Sequence, residues 1–301
     1  MQCHKKSTQL RADSPGPWTN LGLAYNSLER YDEALKALQQ AIRLSPTMFE
    51  AYLNLGYTYM GLRESNEAIK AFQEAVRLRP DDARGWNSLG HSYNESKRYS
   101  EAVSACREAL RLQPEYSEAS YGLGNAYFGL MQFSDAVGAY KEAIRLKQNF
   151  QPAWINLGNA YRRLQQNDDA IMAYREATHL KPDDPFAWEH LGMAYSVAHD
   201  YTQAETNLQH AIQLKSDWAE PWIDLGFAYL AMQQWDRAVQ ALEEGVRLKP
   251  DDASAWVGLG SAYAVQGNHA RVDAVYRQLR TISPGKADEF RTQIMSKMGP
   301  A

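Results

Sequence analysis

The sequence predicts an all-α fold made of eight repeated helix pairs, and three observations carry that prediction. Tyr recurs at 25, 59, 93, 127, 161, 195, 229 and 263, Gly at 22, 56, 90, 124, 158, 192, 226 and 260, and each of those glycines follows a Leu. Every step is 34 residues, the mark of an array in which each copy is one supersecondary unit. Inside each copy, two apolar stripes at helical spacing are separated by residues that start or stop helices.

With the glycine set as position 8, the first helix of each unit has its stripe at positions 4, 7, 8 and 11, an i, i+3, i+4, i+7 pattern. Position 4 is Trp18, Tyr52, Trp86, Ser120, Trp154, Trp188, Trp222 and Trp256. The second helix repeats Ala at position 20 from Ala34 to Ala238. Its position 24 runs Leu38, Phe72, Cys106, Tyr140, Tyr174, Leu208, Leu242 and Tyr276. Asp32, Asn66, Ser100, Ser134, Asp168, Thr202 and Asp236 at position 18 have the side-chain oxygens of helix N-caps, and the reading places caps there. Unit eight has Ala270 at that position, so its second helix is expected to be the least regular. Pro46, Pro80, Pro114, Pro182, Pro250 and Pro284 close the second helices, and the Asp-Asp pairs that follow Pro80, Pro182 and Pro250 cap the next first helices. Glycine in a helix interior costs about 1 kcal/mol relative to alanine, so eight in one register imply a close helix–helix approach. Glu74–Arg77, Glu108–Arg111, Glu142–Arg145 and Glu244–Arg247 read as a solvated outer face.

Composition narrows the function. The 301 residues carry 32 Lys+Arg against 36 Asp+Glu, a net charge of −4, so no basic excess points to a nucleic-acid partner. Two cysteines, Cys3 and Cys106, make neither a disulfide framework nor a zinc site. No apolar run approaches the ~18 residues of a membrane helix, and the N-terminus is no secretory signal as it stands. A cytoplasmic protein without membrane insertion is expected. The seven histidines form no metal-ligand spacing, and Gly-Leu-Gly at 122–124 and 258–260 lies in helical pattern rather than after a strand. No catalytic residue, metal or cofactor is assigned, and the chain is not expected to be an enzyme.

The run Trp-x-x-Leu-Gly-x-x-Tyr, followed by Ala at position 20 and Pro at position 32, resembles the tetratricopeptide repeat (TPR). The resemblance covers eight tandem units over residues 15–284. It implies a right-handed superhelical solenoid of antiparallel helix pairs whose first helices line a concave groove. Departures are Ser120 at the Trp position, Gln148 and Ser216 at the Pro position, and Val272 and Leu279 at the small positions of unit eight. Residues 285–301 carry Ala287, Phe290, Ile294 and Met298 on one stripe and are expected to form a C-terminal capping helix. Residues 1–14 form an N-terminal segment. Its residues 2–11 read as the end of an earlier second helix, which leaves open a degenerate cap or a cut from a longer protein.

The solenoid reading expects a non-catalytic protein–protein interaction scaffold or adaptor that binds an extended peptide or a partner segment in the groove. The alternative is a structural assembly subunit that self-associates or sits in a larger complex through its open ends. Positions 5, 9 and 12 vary while the core repeats. They yield the candidate partner-binding residues Tyr57, Asn87, His91, Asn94, Tyr121, Asn125, Phe128, Asn159 and Arg162, with Arg163 beside the last. Asparagine amides suit a peptide backbone, aromatic rings anchor interfaces, and the arginines suit a carboxylate. Asn125 and Asn159, at one register of adjacent units, are expected to be free for a partner. The family's chaperone-binding members hold carboxylates with Lys at position 5. This sequence has no Lys there, which speaks against that subtype.

Overall fold

The computed structural model describes residues 13–294. Among them are seventeen helices. In chain order they are α1 (Pro15–Asn26), α2 (Tyr31–Leu44), α3 (Phe49–Gly61), α4 (Ser65–Leu78), α5 (Ala83–Glu95), α6 (Tyr99–Leu112), α7 (Ser117–Gly129), α8 (Phe133–Leu146) and α9 (Gln151–Arg163). They continue as α10 (Asn167–Leu180), α11 (Pro185–Val197), α12 (Tyr201–Leu214), α13 (Ala219–Ala231), α14 (Trp235–Leu248), α15 (Ala253–Val265), α16 (His269–Ile282) and α17 (Pro284–Gln293). Odd-numbered helices through α15 are the first helices of the repeats, and even-numbered helices are the second. The chain falls into two compact units, one ending at Ala160 and the other starting at Tyr161.

In the first unit, Leu21, Tyr25 and Leu38 bury the core of the first repeat, and Phe49, Phe72, Leu89 and Tyr93 continue it. In the second, Leu208, Leu225 and Tyr229 lead into Leu242, Leu259, Val275 and Phe290. The glycine register has a single cause. A Cβ on Gly226 would stand 2.5 Å from Leu242 Cγ, and one on Gly124 would stand 2.5 Å from Tyr140 Cε1. Position 8 meets position 24 of its own unit in these repeats, whereas Gly260 of the last repeat meets Phe290 and Val275, and in each case glycine is the residue that lets the helices close.

The tryptophans bind one repeat to the end of the one before. Trp86 Nε1 donates to the Pro80 carbonyl at 2.8 Å and Trp256 Nε1 to the Pro250 carbonyl at 2.9 Å. Where proline is missing the bond persists, from Trp154 to Gln148 and from Trp222 to Ser216, each at 3.1 Å. The contact uses a carbonyl that any residue supplies, which explains why those two departures are tolerated.

Two expectations about caps need correction. The second helices start at position 17, so Asp32, Asp168 and Asp236 lie within the first turn, where an acidic group favours the helix dipole, rather than at the cap. The cap belongs to position 16. Asp200 accepts there from Gln203 N and Asn268 from Arg271 N. Asn268 thus caps α16, which runs the same fourteen residues as the other second helices despite Ala270. Asp82, Asp184 and Asp252 do cap α5, α11 and α15. Position 15, just before the cap position of each second helix, has a left-handed backbone at Glu29, Arg63, Lys97, Met131, Gln165, His199 and Gln233 as well as at Gly267. The four Glu–Arg pairs form as expected, the first with Arg77 Nε 2.8 Å from Glu74. Phe290 in α17 is buried, while Met298 lies outside the described residues, as do Cys3 and residues 2–11.

Candidate partner-binding surface

The first helices place positions 5, 6, 9 and 12 beside the core stripe, and the fate of each side chain depends on its neighbours in the adjacent repeat. At position 9, Leu23 is 50% exposed and Tyr57 is 43% exposed, with His91 exposed in the next repeat. Tyr57 is anchored all the same. Its hydroxyl lies 2.6 Å from Ser88 Oγ, and its ring stands edge-on to Phe72 with centroids 5.3 Å apart. Asn87, half-buried at position 5, hydrogen-bonds the Tyr116 hydroxyl, whose pKa is raised chiefly by burial.

Farther along the first unit, the amides turn inward. Asn94 Nδ2 donates to the Gly122 carbonyl at 2.8 Å, and its buried Oδ1 has no protein partner. Asn125 Oδ1 accepts from the Tyr140 hydroxyl at 2.9 Å and from Asn156 Nδ2 at 2.9 Å. Asn156 also donates to the Tyr121 hydroxyl at 3.0 Å. Tyr121 itself packs on Phe150 at 4.9 Å between centroids, and Phe128 packs on Phe133 at 5.3 Å. Asn125 is therefore part of an internal network, and Asn159 also has an interaction within the chain. The expectation of a free amide fails at Asn125 because Tyr140 at position 24 carries a hydroxyl into the core, and that hydroxyl needs an acceptor.

In the second unit, Arg162 turns into the protein, where its buried Nε has no hydrogen-bond partner among the described residues. Its Nη1 lies 3.7 Å from Met193 Sδ, it hydrogen-bonds Tyr174, and its charge is felt by Asp224. Asp224 hydrogen-bonds Glu189, which is only 7% exposed. Burial first, and then the neighbouring Glu189 charge, push the Asp224 carboxyl up to about 7. His190 Nδ1 lies 2.6 Å from Glu189 Oε2 but also 2.9 Å from the Phe186 carbonyl. The shorter contact lacks hydrogen-bond geometry, because Glu189 Oε2 has no hydrogen-bond partner. Arg163 is exposed and engaged within the chain. The sequence reading missed the acidic pair. Its one signal was an acid at position 5, where Leu53, Ile155 and Ile223 stand in other units. No group of three metal-ligating side chains occurs among the described residues, and none of their helices is long and apolar enough to cross a membrane.

Comparison with known proteins places this geometry. Family models described as TPR repeat match residues 22–62 and 158–196, and those described as Tetratricopeptide repeat match residues 53–117, 89–153 and 223–287. A TPR repeat-containing protein, MJ1428 of Methanocaldococcus jannaschii, is 37% identical over 54 residues, 18% of this chain and 10% of that protein. Among solved structures, the APC/C hetero-tetramer Cut9–Hcn1 aligns with a TM-score of 0.63 at 21% identity, over 88% of this chain and 52% of that one. YrrB, described as a TPR protein with an unusual peptide-binding site, aligns with a TM-score of 0.55 at 20% identity, over 62% of this chain and 96% of its own. The chain thus spans a tenth of the curated relative and about half of the Cut9–Hcn1 chain. The 34-residue register, the stacked helix pairs and the matched family models agree: the chain belongs to the tetratricopeptide repeat family.

Proposed function

We propose that this protein-interaction scaffold holds an extended partner segment along its first-helix face, with the row Leu23, Tyr57 and His91 as the principal contact. The observation that carries the reading is the exposure of Leu23 and Tyr57, 50% and 43%, at the same register of neighbouring repeats. Large apolar groups exposed in one row favour a protein partner. A tyrosine held by both its ring and its hydroxyl is ready to bind without further ordering. Asn87 and His91 offer polar contacts beside it, and Asn94, Tyr121, Asn125, Phe128 and Asn159 hold the neighbouring surface in shape. Arg162 and Arg163 belong to the second unit and serve there.

The test is quantitative capture from native lysate by the parent, by Leu23→Glu/His91→Glu, and by the second-helix control Glu108→Ala. Melts of each variant check that the fold is intact. A protein retained by the parent and the control but lost with the double variant supports the reading. Equal retention by all three refutes it.

A further inference from the structure

We propose a second recognition site in the second unit: the cavity between the second helices α10 and α12, floored by α11, takes an acidic segment of a partner protein. It is separate from the first-helix face and does not depend on that reading. The same groove recurs in other repeats, which supply an internal comparison. Over Trp222, Leu225 and Tyr229 it measures about 370 Å³, and over Trp86, Leu89 and Tyr93 about 360 Å³. Over Trp188, Leu191 and Tyr195 it widens to about 770 Å³.

Two departures from the repeat line the wide cavity. Thr178 stands where six other units have Ile, Val or Leu, and Asn207 stands where six have Ala. Both are buried, at 5% and 6% exposure. Thr178 Oγ1 donates to the Arg175 carbonyl at 2.8 Å, and Asn207 Nδ2 donates to the Gln203 carbonyl at 2.7 Å. Asn207 Oδ1 accepts nothing from the described residues. That oxygen is not sealed off, so at a position that is otherwise alanine it offers the cavity an unused acceptor.

A third departure concerns the tyrosine. In five repeats a guanidinium covers the position-11 ring, as Arg237 covers Tyr229 at 4.1 Å and Arg98 covers Tyr93 at 4.6 Å. At Tyr195 the corresponding positions hold Asp200, Gln203 and, in the unit before, Arg175 at the register of Arg107, yet among the described residues no cation covers the ring. Arg175 occupies the register from which Gln73, Arg107 and Gln209 donate to the next tyrosine's hydroxyl. Its own guanidinium makes no hydrogen bond or ion pair among the described residues, and the Tyr195 hydroxyl is likewise unpaired.

The chemistry of the walls selects the occupant. Arg175 makes one wall cationic, with the His179 ring one turn on, while the Asp200 carboxylate on the far side already accepts from Gln203 N at 3.1 Å. A partner arginine would be repelled by Arg175. A carboxylate gains a charge-assisted, two-point contact with it. A free inorganic anion would leave the Trp188–Leu191–Tyr195 floor unused. An acidic peptide covers both surfaces, with an apolar side chain on the floor, a carboxylate on Arg175 and a backbone N–H on Asn207 Oδ1.

The experiment titrates three probes into the full chain: acetyl-Glu-Leu-Glu-amide, its charge reversal acetyl-Lys-Leu-Lys-amide, and inorganic phosphate. Thr178 and Leu191 methyl resonances report binding. Saturable shifts with the acidic peptide alone, weakened about tenfold or more in Arg175→Glu, are the expected result. Thr178→Ile/Asn207→Ala restores the common repeat residues, so this variant should melt no lower than the parent while its Leu191 shifts disappear. The proposal is overturned if the acidic peptide gives no shifts. It is overturned equally if lysine peptide or phosphate matches the acidic peptide, or if either variant binds as the parent does.

Discussion

Asn156 donates Nδ2 to Oδ1 of Asn125 at 2.9 Å, and that same oxygen accepts the Tyr140 hydroxyl, so one carbonyl joins two first helices and a core tyrosine. Tyr140 is 1% exposed, and no water can replace its partner without entering the core. Asn125→Ala should therefore destabilise by about 1–3 kcal/mol, because it strands a buried donor. Tyr140→Phe in the same background should recover part of that loss. A denaturant series on the two single variants and the double variant measures the coupling, and additive costs would show that the network carries none.

Asp224 makes stability depend on pH in an unusual direction. The usual carboxylate value near 3.8 is raised in the folded chain to about 7, first by burial and then by Glu189 and Glu220, with Arg162 opposing. The folded state thus holds a proton that the unfolded state releases. This contribution is fully present below the unfolded pKa and is lost as pH rises through the folded one. Asp224→Asn cannot ionise and can still donate to Glu189. Its melting temperature should exceed the parent's by more at about pH 8 than at about pH 5. A constant difference across that range would refute the assignment.

Two glycines on helices should respond oppositely to the same substitution. Gly226→Ala places a methyl group against Leu242, and overpacking of about 1–3 kcal/mol should outweigh the propensity gain. Gly138→Ala, in α8, meets nothing within 4 Å and should stabilise by up to about 1 kcal/mol. Parallel thermal melts decide the matter, since equal signs for the two would contradict the contact map.

Phe290 lies against Gly260 and is 1% exposed, so α17 covers the end of the last repeat's core. Phe290→Ala should cost about 3–5 kcal/mol. Hydrogen exchange should locate the loss in α15 and α16 rather than across the whole chain, because a repeat array unfolds by neighbouring units. Uniform deprotection of both units would speak against this.

The periodic features were legible in the sequence because each is set by a contact that recurs at fixed register, within a repeat or between one repeat and the next. Position 8 meets position 24, and the indole at position 4 meets position 32. The cap register was misjudged by two residues because a left-handed residue at position 15 lets the chain turn into the second helix sooner than the polar residue at position 18 suggests. The candidate surface was legible in outline only. Leu23, Tyr57 and His91 are exposed as their register implies, but Asn125 was read as free because its tie to Tyr140 joins two helices fifteen residues apart. The Glu189–Asp224 pair and the widened cavity over Trp188 arise where neighbouring repeats depart from the common residue together, and a pattern averaged over eight copies conceals such coincidences.

Cys106 sits between repeats, its sulfur where a Cβ on Gly90 would lie 2.6 Å away and one on Gly122 3.1 Å away. Burial raises its thiol to about 12, so this cysteine is almost never a reactive thiolate at neutral pH while the repeats stay closed. Alkylation at this sulfur must wait until α6 parts from α5 or α7. With Cys3 replaced by serine, the rate at which a thiol reagent consumes the remaining cysteine becomes a clock for that separation. The middle of the first unit thus contains its own reporter of local opening, readable without an attached probe.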